Sequence, residues 1–198
     1  MSHNRLQDLL ALSHVPRWGV VPTTRSQSVA EHSFRVAAIA MEICRYINGE
    51  DLPSAGIIEY HVILWALIHD APEAETGDLP STVKGAFPGL KSIEMGACPW
   101  MSRMQAITHP LERAIVGVAD KIEAILFIRE WGVGPKARYA EERDTAILRE
   151  RVEEARSKLG LAGLPDVVGL IIDSDSLPPE PKAEREKLAQ GGQLPLPL

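Results

Sequence analysis

Four residues of the types that bind divalent metals stand in apolar parts of the sequence. His32 lies on the apolar stripe of a predicted helix, and His69 and Asp70 end the most apolar segment of the chain. Asp120 lies within the apolar run IVGVADKIEAI. A buried carboxylate costs free energy unless it is paired or bound to a metal, so three helices could bring these side chains to one cation. Imidazole and carboxylate ligands together favour Mn²⁺, Fe²⁺, Co²⁺ or Zn²⁺ over Ca²⁺.

Each of these residues alone also has a simpler interpretation. A single histidine at an apolar position is more often a core residue than a ligand, and Asp120 could pair with Lys121 or Arg113. The string HDAPEAETGDLP, which covers residues 69–80, favours the metal because it adds two further acids, Glu73 and Asp78. Beside a cation, Glu73 could orient or deprotonate a water molecule, or protonate a leaving oxygen.

The elements that must position these residues are predicted to be helices. A short helix is predicted over residues 3–14, and a longer one begins at Ser28, which has capping-box spacing to Glu31. Asn48 and Gly49 end that helix. Further helices are predicted over residues 56–70 (apolar nearly all round, hence buried), 77–87, 110–131, 135–159 and 164–175. The sequence contains no series of segments with the apolar–polar alternation of β-strands, so the predicted fold class is all-α.

Composition limits the classes of function. Of the 198 residues 45% are hydrophobic and 24% charged, which is typical of a globular protein. The net charge of −6 argues against nucleic-acid and anionic-membrane binding. With two cysteines, no signal peptide and no long apolar run, we predict a cytoplasmic protein without a disulfide framework. Residues 1–177 are predicted to form one domain, and residues 178–198, with five prolines, a flexible tail.

Several motifs, taken in order, resemble the YfbR-like 5′-deoxynucleotidases of the HD-domain proteins. The chain carries PRW at 16–18, VAEHS at 29–33, HDAPEAETGDLPSTVK at 69–84 and AD at 119–120. The resemblance covers residues 5 to about 130. It implies a helical bundle of the HD-domain type, with a metal site between the central helices and a homo-oligomeric assembly.

The resemblance also implies roles for single residues. The implied ligands of one divalent transition metal (Co, Mn, Zn or Fe, with Mg an option) are His32, His69, Asp70 and Asp120. Glu73 matches the catalytic acid of the family and Asp78 a supporting acid. Arg17 and Lys84 match cations near the substrate phosphate, although either could be an ordinary surface cation. Trp18 matches a residue beside the nucleoside, and Val20 stands where phage relatives screen the purine base.

The implied reaction is hydrolysis of a deoxynucleoside 5′-monophosphate to deoxynucleoside and phosphate. The first alternative is release of triphosphate from dATP, as in phage relatives, because the stretch from Asp78 to Asp120 is short. Hydrolysis of guanosine alarmones is disfavoured, because Ala74 stands where that family has a second acid. A non-enzymatic helical scaffold is the remaining alternative, and it would bind no stoichiometric metal.

Overall fold

The computed structural model of the protein describes residues 5–48 and 59–173. Within these ranges the chain folds into helices, and its extended pairing is limited to two isolated bridges. The helices are α1 Arg5–Ala11, α2 Val29–Asn48, α3 Glu59–Ile68, α4 Glu73–Thr76, α5 Ser81–Ala86, α6 Leu90–Ala97, α7 Trp100–Ile107, α8 Pro110–Trp131, α9 Gly134–Leu159 and α10 Leu164–Asp173. A short 3₁₀ turn, Leu12–His14, follows α1. The predicted all-α class is confirmed.

The core lies where α2, α3 and α8 meet, and α9 covers the other side of α8. Helix α2 contributes its apolar stripe, of which Val36 and Ile43 are fully buried. Val62 of α3 and Ile122 of α8 are also fully buried against it. Each such side chain stabilises the fold by about 1.5–3 kcal/mol. This packing fixes α2 and α8 next to each other, which is the condition for His32 and Asp120 to meet.

Side-chain caps determine where the two central helices begin. The Ser28 hydroxyl accepts a hydrogen bond from the Glu31 amide at 3.1 Å, as predicted, but the Glu31 carboxylate pairs with Arg25. At the start of α8, the His109 ring accepts from the Leu111 amide while the Glu112 carboxylate accepts from the His109 amide. Together these caps satisfy amides that a helix start otherwise leaves unpaired.

Three regions differ from the prediction. Helix α3 is not buried all round, because Tyr60 and Leu67 are exposed. The segment predicted as one helix over 77–87 contains α5, and the one-turn helix α4 precedes it. Residues 88–109, for which the sequence predicts no element, contain α6 and α7. Each of these helices has only eight residues, too few for a clear helical period.

The predicted tail at 178–198 lies outside the described residues. Among the residues that the structure does describe, no helix is long and apolar enough to cross a membrane. Cys44 and Cys98 are both buried and carry free thiols, as expected without a disulfide framework.

Gly132 allows the close approach of α8 and α9. A Cβ atom at this position would lie 2.6 Å from the Ile128 carbonyl oxygen and 2.8 Å from the Ala137 Cβ. We therefore expect Gly132→Ala to lower the free energy of unfolding by about 1–3 kcal/mol, because backbone must move. Gly169→Ala, in the open interior of α10, is the matched control and should be neutral or stabilising. Thermal unfolding followed by circular dichroism compares them, and equal midpoints would contradict the expectation.

Candidate metal and phosphate site

The structure brings together the four residues that the sequence predicts as metal ligands. His32 lies on α2, His69 and Asp70 in the turn after α3, and Asp120 on α8. The His32 Nε2 atom is 3.4 Å from both Asp70 Oδ2 and Asp120 Oδ1. The His69 Nε2 atom is also 3.4 Å from Asp70 Oδ2. One ligand atom each from His32, His69 and Asp120 lies within 4.8 Å of the others.

The two histidines present free nitrogen atoms to this cluster. His69 Nδ1 lies 2.7 Å from the Ala66 carbonyl oxygen, and His32 Nδ1 lies 2.6 Å from Glu123 Oε2. Both Nε2 atoms are buried and have no hydrogen-bond partner. A ring that donates through Nδ1 offers the Nε2 lone pair to a metal. Two such nitrogens beside two carboxylates form a donor set that fits a divalent transition metal.

The electrostatics of the cluster favour a cation. Burial tends to raise the pKa of the Asp70 carboxyl, but His69 and His32 lower it well below its usual range. The pKa of the Asp120 carboxyl is likewise well below its usual range. Burial tends to raise it, and Lys121 is the main neighbour that lowers it. Burial and Arg17 tend to lower the pKa of His32, yet the neighbouring carboxylates of Asp120, Asp70 and Glu123 raise it to about 10. The ionised carboxylates thus stabilise a positive charge between them. A divalent cation can supply that charge instead of a proton on His32.

Glu73 stands at the start of α4 and is almost fully buried. Its Oε1 atom accepts a hydrogen bond from Lys84 Nζ at 2.7 Å, and the same ammonium lies 3.1 Å from Glu94. Its Oε2 atom is buried and has no hydrogen-bond partner. Burial and the charge of Asp70 raise the pKa of the Glu73 carboxyl to about 8, while Lys84 opposes the rise. Such a carboxyl keeps its proton at neutral pH and can donate it.

The loop between α1 and α2 holds Trp18 in a left-handed conformation with φ of 65°. Three contacts maintain it: the Trp18 amide donates to Asp78 Oδ2, its indole N–H donates to Gln27, and its ring stacks on Phe127 at 5.8 Å. Strained backbone held in this way often marks a functional site. Asp78 therefore stabilises this conformation of the loop. Val20, two residues further on, is 55% exposed.

Arg17, next to Trp18, lies near the carboxylates of the cluster. Its Nη1 atom lies 3.2 Å from Glu123 Oε2, and its Nε atom is buried without a partner. Burial tends to lower the pKa of the guanidinium, but surrounding carboxylates raise it above its ordinary value. These carboxylates belong to Glu123, Asp70, Asp78 and Asp120. An unpaired N–H beside the cluster is a ready donor to an anion.

Two further cations border Asp120. Lys121 Nζ lies 3.5 Å and Arg151 Nη1 3.4 Å from Asp120 Oδ2, the oxygen that does not face His32. From the sequence, Lys121 is expected only as a partner that would neutralise Asp120, and no local pattern points to Arg151. Arg113, the other partner considered, instead donates to two backbone carbonyls. Arg151 can be recognised only in the structure, because it lies on α9, 31 residues after Asp120 in the sequence.

Several known proteins are similar to this chain in sequence. Residues 6–95 match the family model described as 5′-deoxynucleotidase YfbR-like. The dATP triphosphohydrolase of Salmonella phage PMBT28 is 38% identical over 133 residues, which cover 65% of this chain and 68% of that protein. The enzyme of the same name from Cyanophage S-2L is 35% identical over 65% of this chain and 71% of that protein. The 5′-deoxynucleotidase YfbR of Salmonella arizonae is 34% identical over 76 residues, 38% of this chain and 37% of that protein.

Solved structures show the same fold. The Cyanophage S-2L HD phosphohydrolase (DatZ), bound to dA and one catalytic Zn²⁺ ion, superposes with a TM-score of 0.70. It is 26% identical, and the match covers 86% of this chain and 96% of that one. An HD-domain phosphohydrolase of Listeria innocua gives a TM-score of 0.57 at 22% identity, covering 92% of this chain and 97% of that one. These likenesses confirm the predicted helical bundle.

Proposed function

This chain belongs to the YfbR-like HD-domain phosphohydrolases, and we propose that it hydrolyses a deoxynucleoside triphosphate such as dATP to deoxynucleoside and triphosphate. One observation carries the proposal. A partly buried set of metal-type donors lies near a protonatable carboxyl, Glu73, and a guanidinium with one unpaired N–H, Arg17. An enzyme that hydrolyses a phosphate ester by attack of an activated water needs a metal site, a proton donor and a cation that binds the phosphate.

We propose that His32, His69, Asp70 and Asp120 hold one divalent transition metal. Zn²⁺ is the first choice, because the DatZ structure contains it. The metal, when bound, lowers the pKa of a water molecule and polarises a phosphoryl oxygen. The chain's own residues must then bind the phosphate, orient it and move protons.

Glu73 is proposed to manage the protons. The water oxygen forms a bond to the α-phosphorus, and the bond from that phosphorus to the O5′ atom of the deoxyribose breaks. The leaving O5′ needs a proton, which the Glu73 carboxyl can supply from Oε2, and Glu73 regains one from the attacking water. Lys84 holds the other oxygen of Glu73 at 2.7 Å and so keeps Oε2 in position. Asp78 supports this geometry indirectly, through the Trp18 loop.

The phosphate groups are proposed to bind between Arg17 and Lys84, as predicted from the sequence. Arg17 can offer a planar pair of donors, whereas Lys84 supplies a point charge. Lys121 and Arg151, both ion-paired with Asp120, border that side of the same cluster and bring two more cations to it. Four cations suit a triphosphate, which carries more negative charge than a monophosphate. Trp18 and Val20 remain our candidates for contacts with the base.

Hydrolysis of a deoxynucleoside monophosphate is the second candidate. Both reactions break the same bond between phosphorus and O5′, and differ only in what else the phosphorus carries. The motifs in the sequence favoured the monophosphate. We put the triphosphate first, because similarity to the phage enzymes extends over 65% of the chain and similarity to YfbR over 38%. The homo-oligomer, the cytoplasmic location and the absence of nucleic-acid and membrane partners stay predictions.

The test is to incubate the purified protein with dATP and, separately, with dAMP, each with Co²⁺, Mn²⁺ or Zn²⁺. We expect inorganic triphosphate from dATP, identified by ³¹P NMR, and little phosphate from dAMP. Samples with chelator should be inactive, and ATP and AMP serve as controls for the deoxyribose. Orthophosphate from dAMP with dATP intact would move the proposal to the monophosphate. Activity on neither, with metal bound, would contradict both.

A further inference from the structure

Glu123 is a fully buried acid that the motifs of the sequence did not single out. It lies on α8, three residues after Asp120, and its carboxylate has no solvent exposure. Four donors surround it, two from the loop between α1 and α2 and two from α2. Oε2 lies 2.6 Å from His32 Nδ1 and 3.2 Å from Arg17 Nη1. Oε1 accepts from Gln27 Nε2 at 2.7 Å and from Arg35 Nε at 2.8 Å.

All four partners donate, so only a carboxylate satisfies them. An ionised carboxylate has two acceptor oxygens, whereas an amide has one acceptor and one donor group. Burial removes water as an alternative partner, and an unpaired buried group is costly. The arrangement therefore requires an acid at position 123, and that acid determines how His32 and Arg17 lie.

We infer that Glu123 is a positioning residue that orients the His32 imidazole toward the metal and holds the Arg17 guanidinium beside it. By accepting from Nδ1, it fixes the ring with Nε2 toward Asp70 and Asp120. By contacting Nη1 alone, it leaves the buried Nε of Arg17 without a partner and ready for an anion. The inference rests on the proposed role of His32 as a metal ligand.

Metal affinity tests the first half. Residues that hold a ligating histidine typically change metal affinity by 10- to 100-fold when replaced. We therefore expect Glu123→Gln to weaken Co²⁺ binding by about 10- to 100-fold, measured by competition with a chromophoric chelator. The visible spectrum of the Co²⁺ protein should also shift, because the orientation of one ligand changes. Unchanged affinity and spectrum would overturn the inference.

Glu112→Gln is the matched control. Glu112 is a buried acid on the same helix, its carboxylate lies 3.4 Å from a histidine nitrogen of His61, and it is not in the cluster. It should cost stability and leave Co²⁺ affinity unchanged. A fall in affinity equal to that of Glu123→Gln would show a general effect on the fold and overturn the inference. If the wild-type protein itself binds no Co²⁺, the proposed function fails. If the wild type binds Co²⁺ and Glu123→Gln binds it equally well, only the inference about Glu123 fails.

Glu123→Asp decides the case in which Glu123→Gln does not fold. It keeps the negative charge but shortens the side chain by one methylene group, so the contact with His32 lengthens. We expect weaker Co²⁺ binding with a folded protein. Wild-type affinity in this variant would overturn the inference.

A double-mutant cycle tests the second half, with inorganic triphosphate as the probe and saturating Co²⁺. If Glu123 holds Arg17 in place, Arg17→Gln should weaken triphosphate binding in the wild-type protein and have a smaller effect in Glu123→Gln. In the Glu112→Gln background the effect of Arg17→Gln should equal that in the wild type. Equal effects in all three backgrounds would contradict the role of Glu123 toward Arg17.

Discussion

Replacing Glu73 with glutamine is expected to lower kcat by about 10²- to 10⁴-fold, the range over which general acid–base groups contribute. The amide has nearly the same shape but cannot give up a proton to the O5′ atom. Among the described residues, the ion pair of Glu73 is with Lys84 and not with one of the four candidate metal ligands, so metal content should remain at the wild-type level. The measurement is turnover of the preferred nucleotide, with metal content determined on the same sample.

Glu75→Gln is the matched control for this variant. Glu75 lies on the same one-turn helix, but its side chain is exposed to solvent. It should retain wild-type turnover and metal content. Near-normal turnover of Glu73→Gln would remove Glu73 from the proposed mechanism, and loss of metal in that variant would assign it to the metal site.

The sequence could predict the residues that lie on strong local patterns. His32 follows a capping serine on an amphipathic helix, and Asp120 lies in an apolar run, so both were predictable as buried polar side chains. The turn that carries His69 and Asp70 follows directly from the end of an apolar helix. In each case the local period determines which face the side chain occupies, and the pairing of α2 with α8 then brings the faces together.

Residues that act through tertiary contacts could not be predicted in this way. Glu123 is one of several acids on α8 in the sequence, and only the neighbouring Gln27 and Arg35 show that its carboxylate is saturated with donors. Arg151 comes from a highly charged helix whose pattern is typical of a solvated surface. Helix α4 has four residues, too short for any period, and yet it places Glu73. Long-range packing, which composition and spacing do not contain, determines these positions.

Replacing Asp120 with asparagine is expected to weaken metal binding by more than about 100-fold, beyond the range for residues that only contact a ligand. The amide keeps the shape of the side chain but loses the charge that a divalent cation requires. It also leaves Lys121 and Arg151, at 3.5 Å and 3.4 Å from Oδ2, without a negative partner. Turnover should fall with metal occupancy and recover in part at high metal concentration.

Metal content after dialysis and titration with Zn²⁺ measure this effect, and Asp8→Asn is the matched control. Asp8 is a buried aspartate on α1 that accepts a hydrogen bond from Trp100, away from the cluster, and an amide oxygen can accept the same bond. Unchanged metal content in Asp120→Asn would reject Asp120 as a ligand. Loss of metal in Asp120→Asn beside full metal content in Glu73→Gln would assign the two acids to different tasks, one holding the cation and the other moving the proton.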